Sequence, residues 1–331
     1  MRIFFLFIFF PIFSSFSSEV IFYKKSNVGP YANYNPISYY FNTAFDTIQN
    51  PIYFNQKDFI RNHELILERT FRIKRGIKEG GGFENLLKNE IIGLRAMPNY
   101  FLHLLGSGVD FRILAEWFQV NNYQRPYLWA FTLSYIAHLG NESLESSNTK
   151  DINAHDHIAD LLLFDLISKF IFLNDEYAHF IKNTLRMVSW PYQPLLNQEG
   201  LVENAGSNFI LRPKISDLST RPFIHLGMKL LFGVSFPFYQ YTLSVASGPA
   251  FTDPLKDKSR LATGIYLDMD DSLLGSLIIN GTDLFRIRLN IYPGVLSFNK
   301  YTAGFMLANS SSNDWVVGLN VNYPLSFALK F

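Results

Sequence analysis

The sequence predicts an α+β chain: a short export leader, a mainly helical region, and a C-terminal antiparallel β-barrel of about eight strands, or about twelve at most. Three observations carry this. The chain opens on a single charge followed by an apolar run. Its middle carries helix starts, stops and charge pairs. Beyond about residue 206 the hydrophobic period switches to two. The expected divisions are 1–17, 18–200 and 201–331.

The opening stretch, MRIFFLFIFFPIFSSFSS, has one cation (Arg2), an apolar run from Ile3 to Phe13, and then small polar residues. This is the pattern of a secretory signal peptide. Ser15-Phe16-Ser17 fits its cleavage site, which places the cut after Ser17. An uncleaved anchor helix is the alternative, but the run falls short of the ~20 residues that a spanning helix needs. The chain has no cysteine. A lipid-anchored lipoprotein and a disulfide scaffold are therefore both excluded. Phenylalanine (33) and tyrosine (18) are abundant, charged residues make up 17%, and the formal net charge is +1. Such a balance gives no field for nucleic acid or an acidic partner.

In the helical region, about three to five helices are expected. The segment NQKDFIRNHELILERTFRIKRG is amphipathic, rich in both signs, and ends at Gly76. KEGGGFEN then forms a joint. PNYFLHLLGSGVDFRILAEWF has room for one further strand pair. RPYLWAFTLSYIAHLGN starts with Pro126 at the first helical position and closes on Gly140. It is apolar nearly all round, which predicts burial. HIADLLLFDLISKFIFLNDEYAHFIKNTL continues as helix, with Asp165 and Lys169 spaced as an (i, i+4) pair. Asp160, Asp165 and Lys169 also interrupt its apolar run, which argues against a membrane-spanning helix.

Candidates for chemistry are few. The sharpest group is NAHDHIAD, with His155, Asp156, His157 and Asp160, preceded by Asn141, Glu142 and Glu145. Two imidazoles beside carboxylates suit zinc binding or acid–base work. A helix starting near Asp156 sets His157 and Asp160 on one face. The simpler reading is a solvated helix start that Asp156 caps. HExxH, GxSxG, P-loop and dinucleotide fingerprints are missing from the sequence. Gly80-Gly81-Gly82 lacks the context for cradling phosphate. No catalytic residue is assigned. Glu142, His155, His157 and Asp160 are the candidates, and neither a metal nor a cofactor is expected.

The last third alternates. IHLGMKLLFGVSF sets Ile224, Leu226, Met228, Leu230, Phe232, Val234 and Phe236 on one face, against His225, Gly227, Lys229, Leu231, Gly233 and Ser235. YQYTLSVAS and LFRIRLNIY repeat the pattern. In the latter, Phe285, Ile287, Leu289 and Ile291 oppose Arg286, Arg288 and Asn290. Two arginines on one face are hard to bury in a sandwich core, so Lys229, Arg286, Arg288 and Asn290 are expected to face a polar lumen, with lipid on the other side. Strands are expected at 206–213, 223–236, 239–248, 262–269, 272–280, 284–292, 301–309 and within 314–331. Turns are expected at Pro237-Phe238, at Met269-Asp270-Asp271, and at 280–283 and 310–313. A soluble β-sandwich or lipocalin-like barrel also alternates, with its apolar face inward.

The tail, YPLSFALKF, places Tyr323, Leu325, Phe327, Leu329 and Phe331 at every second position. In this it resembles the insertion signature of Gram-negative outer-membrane β-barrel proteins. Pro324 departs from the pattern, since it donates no ladder bond. The resemblance implies recognition by the barrel-assembly machinery, outer-membrane lipid as a partner, and a periplasmic C-terminus. The connections 310–313, 281–283, 249–261 and 214–222 would then lie outside. The expectation is an outer-membrane protein with a structural or transport-related role and no nucleic-acid partner. One alternative is an outer-membrane lipid- or lipopolysaccharide-modifying hydrolase that uses Glu142, His155 and His157. Another is a soluble periplasmic β-rich binding protein.

Overall fold

The computed structural model describes residues 19–50, 52, 54, 58–92, 99–145, 155–215, 219–253, 258–282, 284–298, 301–321 and 326–331. The expected leader, and Tyr323 and Leu325 of the tail, lie outside the described residues.

The helical part comprises α1 (Pro36–Ala44), α2 (Phe59–Phe71), α3 (Ile73–Glu79), α4 (Phe83–Leu86), α5 (Ser107–Val120), α6 (Pro126–Leu144), α7 (Asp156–Ala159), α8 (Asp165–Phe172) and α9 (Asp175–Asn183). Three π-helical segments are interposed, at Leu87–Ile92, Asn99–Gly106 and Asp160–Phe164. The helices thus outnumber the three to five expected. The causes of their boundaries are local. Asn35 caps α1, accepting from the N–H groups of Ile37 and Ser38, while Ser38 Oγ accepts from Asn35 N–H at 3.0 Å. Pro36 follows as the first helical residue. Asn174 caps α9 by accepting from Tyr177 N–H at 3.0 Å.

Several helix expectations are corrected. The break after α2 falls at Arg72, and Gly76 is a buried residue inside α3. The 99–120 stretch is helical, with no strand pair. Helix α6 runs through Gly140 to Leu144. A Cβ at Gly140 would meet the Ala44 Cβ at 3.2 Å, so glycine here serves close packing on α1 rather than a stop. Trp129 and Ile136 of α6 are exposed, so that helix is not buried all round.

The strands are β1 (Val188–Ser189), β2 (Leu195–Leu196), β3 (Val202–Glu203), β4 (Phe209–Leu211), β5 (Arg221–Leu226), β6 (Leu231–Phe238), β7 (Tyr241–Asp253), β8 (Lys258–Met269), β9 (Ser272–Ile279), β10 (Phe285–Phe298), β11 (Tyr301–Ser310), β12 (Trp315–Val321) and β13 (Ser326–Lys330). They form a single 13-stranded sheet in the order β1-β4-β5-β6-β7-β8-β9-β10-β11-β12-β13-β2-β3. Strands β4 to β13 are an antiparallel meander, while β13 and β2 pair in parallel. This overturns the expected closed barrel. The order begins at β1 and ends at β3, no ladder joins those two, and the sheet is open and mixed.

Alternation gave the strand faces but not the reversals. The expected strand 223–236 is two strands, parted at 227–230, and 314–331 is also two, β12 and β13. Parity is retained across the first break, so the sequence shows no sign of it. The second break changes the topology. Trp315 N–H donates to the Phe331 carbonyl at 3.0 Å and Phe331 N–H to the Trp315 carbonyl at 2.8 Å, so Phe331 stands at the same end of the sheet as the 310–313 turn. The expectation that set the two on opposite sides is thereby corrected. The β8–β9 reversal is as the turn chemistry requires, with Asp270 (φ 50°) and Asp271 (φ 66°) both left-handed. The turn expected at Pro237-Phe238 instead falls at Tyr239-Gln240.

The end strands of the sheet pack on other elements. Helix α5 packs on β1. Val202 of β3 is buried with Ile48 and Ala205.

Candidate functional site

Two polar interiors lie within the fold. The first belongs to the sheet. His225, Lys229, Ser235, Ser244, Tyr266, Asp268, Ser276, Arg288, Asn290 and Ser326 are all buried. Apolar residues of the opposite face are exposed, among them Phe232, Val234, Val245, Ile265, Ile279, Ile287, Trp315, Leu319, Phe327 and Leu329. The buried groups bond to one another. Lys229 Nζ donates to the Tyr192 hydroxyl at 2.8 Å, and Arg288 Nη2 donates to the same oxygen at 2.5 Å. The Arg288 guanidinium lies 3.9 Å from the centroid of the Tyr192 ring. Asn204 donates to Asn290 Oδ1 at 3.0 Å, and Lys229 also reaches Gln49 and Asn208, each at 3.3 Å. Arg212 forms an ion pair with Asp268 at 3.1 Å and stacks over Trp190.

Of the four residues expected to face a lumen, Lys229, Arg288 and Asn290 belong to this interior. Arg286 does not. It is exposed and donates to Asn313 Oδ1 at 2.7 Å and to the Ser311 carbonyl at 3.0 Å. A register shift between Phe285 and Ile287 turns it outward, and alternation cannot anticipate a bulge. Phe327, Leu329 and Phe331 of the tail are exposed.

The second interior lies among the helices. Helix α6 supplies His138 and Glu142 at (i, i+4), on one face. Helix α7 supplies Asp156, which leads into Asp160, and α8 supplies Asp165 and Lys169. Asp160 and Asp165 are five residues apart. The π segment Asp160–Phe164 widens the turn so that both reach one side. There they meet His103, itself on a π segment. His103 Nε2 lies 3.5 Å from Asp160 Oδ2, and its Nδ1 lies 3.8 Å from Asp165 Oδ1. His138 Nδ1 lies 2.5 Å from Asp165 Oδ2, and Lys169 Nζ lies 3.7 Å from the same oxygen.

Two sets of potential metal ligands result: His103, His138 and Asp165, and then Glu142, Asp156 and Asp160. Within each set, one ligand atom per residue lies within 4.8 Å of the others.

The electrostatics follow from burial and crowding. Burial opposes charge on His103, but Asp160 and Asp165 outweigh it and carry its pKa up to about 10. Burial also works against ionisation of Asp165. His138, Lys169 and His103 prevail there and hold it well below the usual carboxylate range. The acidic set behaves in the opposite way. Burial and neighbouring carboxylates push Glu142 and Asp156 well above their ordinary values, and Asp160 up to about 7.

The sequence candidates divide between places. Glu142 and Asp160 enter the acidic set. His155 is fully buried, with Nε2 3.1 Å from Glu90 Oε1. His157 is buried apart from them, and burial with the nearby charge of Arg69 lowers its pKa to about 4. Asp156 is the first residue of its helix and makes no capping bond, so the solvated-cap reading is corrected. The Asp165–Lys169 pair lies in the interior and not on a solvated face. Sequence reading missed His103, His138 and Asp165 as a set. Ending α6 at Gly140 separated His138 from Glu142, whose helical spacing was the one available signal.

Comparisons with known proteins add no relative. No family model matches the chain, and neither a curated protein nor a solved structure is significantly similar to it.

Proposed function

We propose that this is a membrane-inserted protein of the Gram-negative cell envelope with a structural or transport-related role, its sheet meeting lipid through the outer face. One observation supports the reading above all: the outer face of the sheet exposes large apolar side chains, among them Phe232, Ile287, Leu319 and Phe327, while its buried face sets Lys229, Arg288 and Asn290 among apolar residues. A sheet packed for water turns polar side chains outward and rarely buries charges. Within the buried face, Lys229, Arg288 and Asn290 find partners in Tyr192, Asn204, Gln49 and Asn208. Strands β7, β8, β10 and β11, of 13, 12, 14 and 10 residues, have the length for a tilted crossing. Side chains fill the buried face, which favours a structural role, or transport that needs the interior to rearrange, over a standing wide pore.

Fractionation tests this. The protein is expected with the outer membrane, retained through salt and carbonate washes, and released by detergent. Recovery in the soluble periplasmic fraction would overturn the reading and favour a β-rich binding protein.

A further inference from the structure

We propose that His103, His138 and Asp165 form a binding site for a divalent first-row transition ion, buried among the helices and independent of how the sheet meets the membrane. Two imidazoles and one carboxylate on separate elements form a donor set suited to zinc, iron(II) or manganese. The three ligand atoms already lie within 4.8 Å of one another. They come from a π segment, from the middle of α6 and from the start of α8, so three packed elements fix their positions. His138 and Asp165 are buried, and His103 is partly so.

A second observation points the same way. His103 turns its other nitrogen to Asp160. Asp160 is 4% exposed, and its Oδ1 has no hydrogen-bond partner. That carboxylate also belongs to the adjoining acidic set with Glu142 and Asp156. A buried, unpartnered carboxylate oxygen carries a large desolvation cost. Lys169 and the imidazoles of His103 and His138 pair with Asp160 and Asp165, and Glu142 and Asp156 add two further carboxyl groups to the cluster. A divalent ion places positive charge where these ligands converge. The Asp160–His103 contact then sets the ring's orientation, as carboxylates do behind metal-bound imidazoles.

The test uses the full chain, purified and stripped with chelator. Zinc is titrated by calorimetry, and cobalt(II) is followed by its visible absorption. The expected result is one zinc per chain and a cobalt spectrum with nitrogen ligation. Zinc should raise the melting temperature. His138→Gln and Asp165→Asn should each weaken zinc binding at least about 100-fold and abolish the zinc-induced rise in melting temperature. His179→Ala, on the exposed pair with Glu19, should change neither. Asp160→Asn should weaken binding less than the ligand variants while leaving the stoichiometry at one. If the ligand variants fail to fold, the wild-type cobalt spectrum decides, since nitrogen ligation in the buried site is expected only if the proposal holds. Zinc binding that is absent from the wild type, or equal in wild type and ligand variants, overturns the proposal.

Discussion

Single residues set the polarity of both interiors. Tyr192 is an example: its hydroxyl accepts from Lys229 and Arg288, two cations with almost no exposure. Tyr192→Phe retains the ring and removes that acceptor. Hydrogen bonds to charged groups contribute about 1.5–3 kcal/mol each, so a loss of about 2–3 kcal/mol is expected, read from the denaturant midpoint. Little change would mean that Gln49 and Asn208 already satisfy Lys229. Asp110 gives a pH dependence. Burial, against the lowering effect of Ser189 and Ser207, raises its pKa to about 7. An unfolded carboxyl titrates at about 3.9. Between these values the folded state holds a proton that the unfolded state has lost, so stability falls as pH rises from about 4 to about 7. Asp110→Asn should remove this part of the slope, and an unchanged slope across that window would refute the assignment.

Elements are tied to one another by a buried clamp on α5. Glu116 accepts from the backbone N–H groups of Ile21, Phe22 and Tyr23, at 2.9, 2.7 and 2.6 Å. Arg112 donates to Glu116 at 2.8 Å, to the Phe172 carbonyl at 2.9 Å and to the Glu19 carbonyl at 2.8 Å, and also pairs with Asp175. One turn of helix therefore fixes the segment 19–23 and the end of α8 together. Both side chains are fully buried, so removal of Glu116 leaves the buried Arg112 with only the partly exposed Asp175 as counter-charge. Glu116→Ala is expected to cost about 3–5 kcal/mol. Proteolysis should then begin in the released segment near residues 19–23. Digestion that begins elsewhere would show that other contacts hold this segment.

For the whole molecule, the decisive property is what covers the sheet's apolar outer face. Leu319 is 52% exposed on β12, whereas Asn320 beside it is buried and accepts from Asn33 Nδ2 at 2.9 Å. If lipid covers the outer face, Leu319→Arg should cost about 2–4 kcal/mol near the bilayer midplane, and less toward either interface. It should also lower the amount found in the membrane fraction. On a water-facing surface the same change should fall within about 0.5 kcal/mol. Unfolding of the detergent-purified variant, together with its abundance in membranes, separates these outcomes.

The sequence by itself determined which side chains share a face. Period-two alternation set Lys229, Arg288 and Asn290 against Phe232, Ile287 and Leu289, because successive side chains of a strand point to opposite sides whatever the sheet does. Helical spacing likewise paired Asp165 with Lys169. What alternation lacks is any record of where a strand reverses, bulges or ends. The reversals at 227–230 and between β12 and β13, the shift that turned Arg286 outward, and the failure of β1 and β3 to pair were therefore decided by the tertiary structure. The metal-competent cluster belongs there too. His103 and His138 are 35 residues apart in the numbering and Asp165 is 27 further on. They meet only because α6, α8 and two π-helical segments pack together, and local periodicity carries no information about which helices will be neighbours.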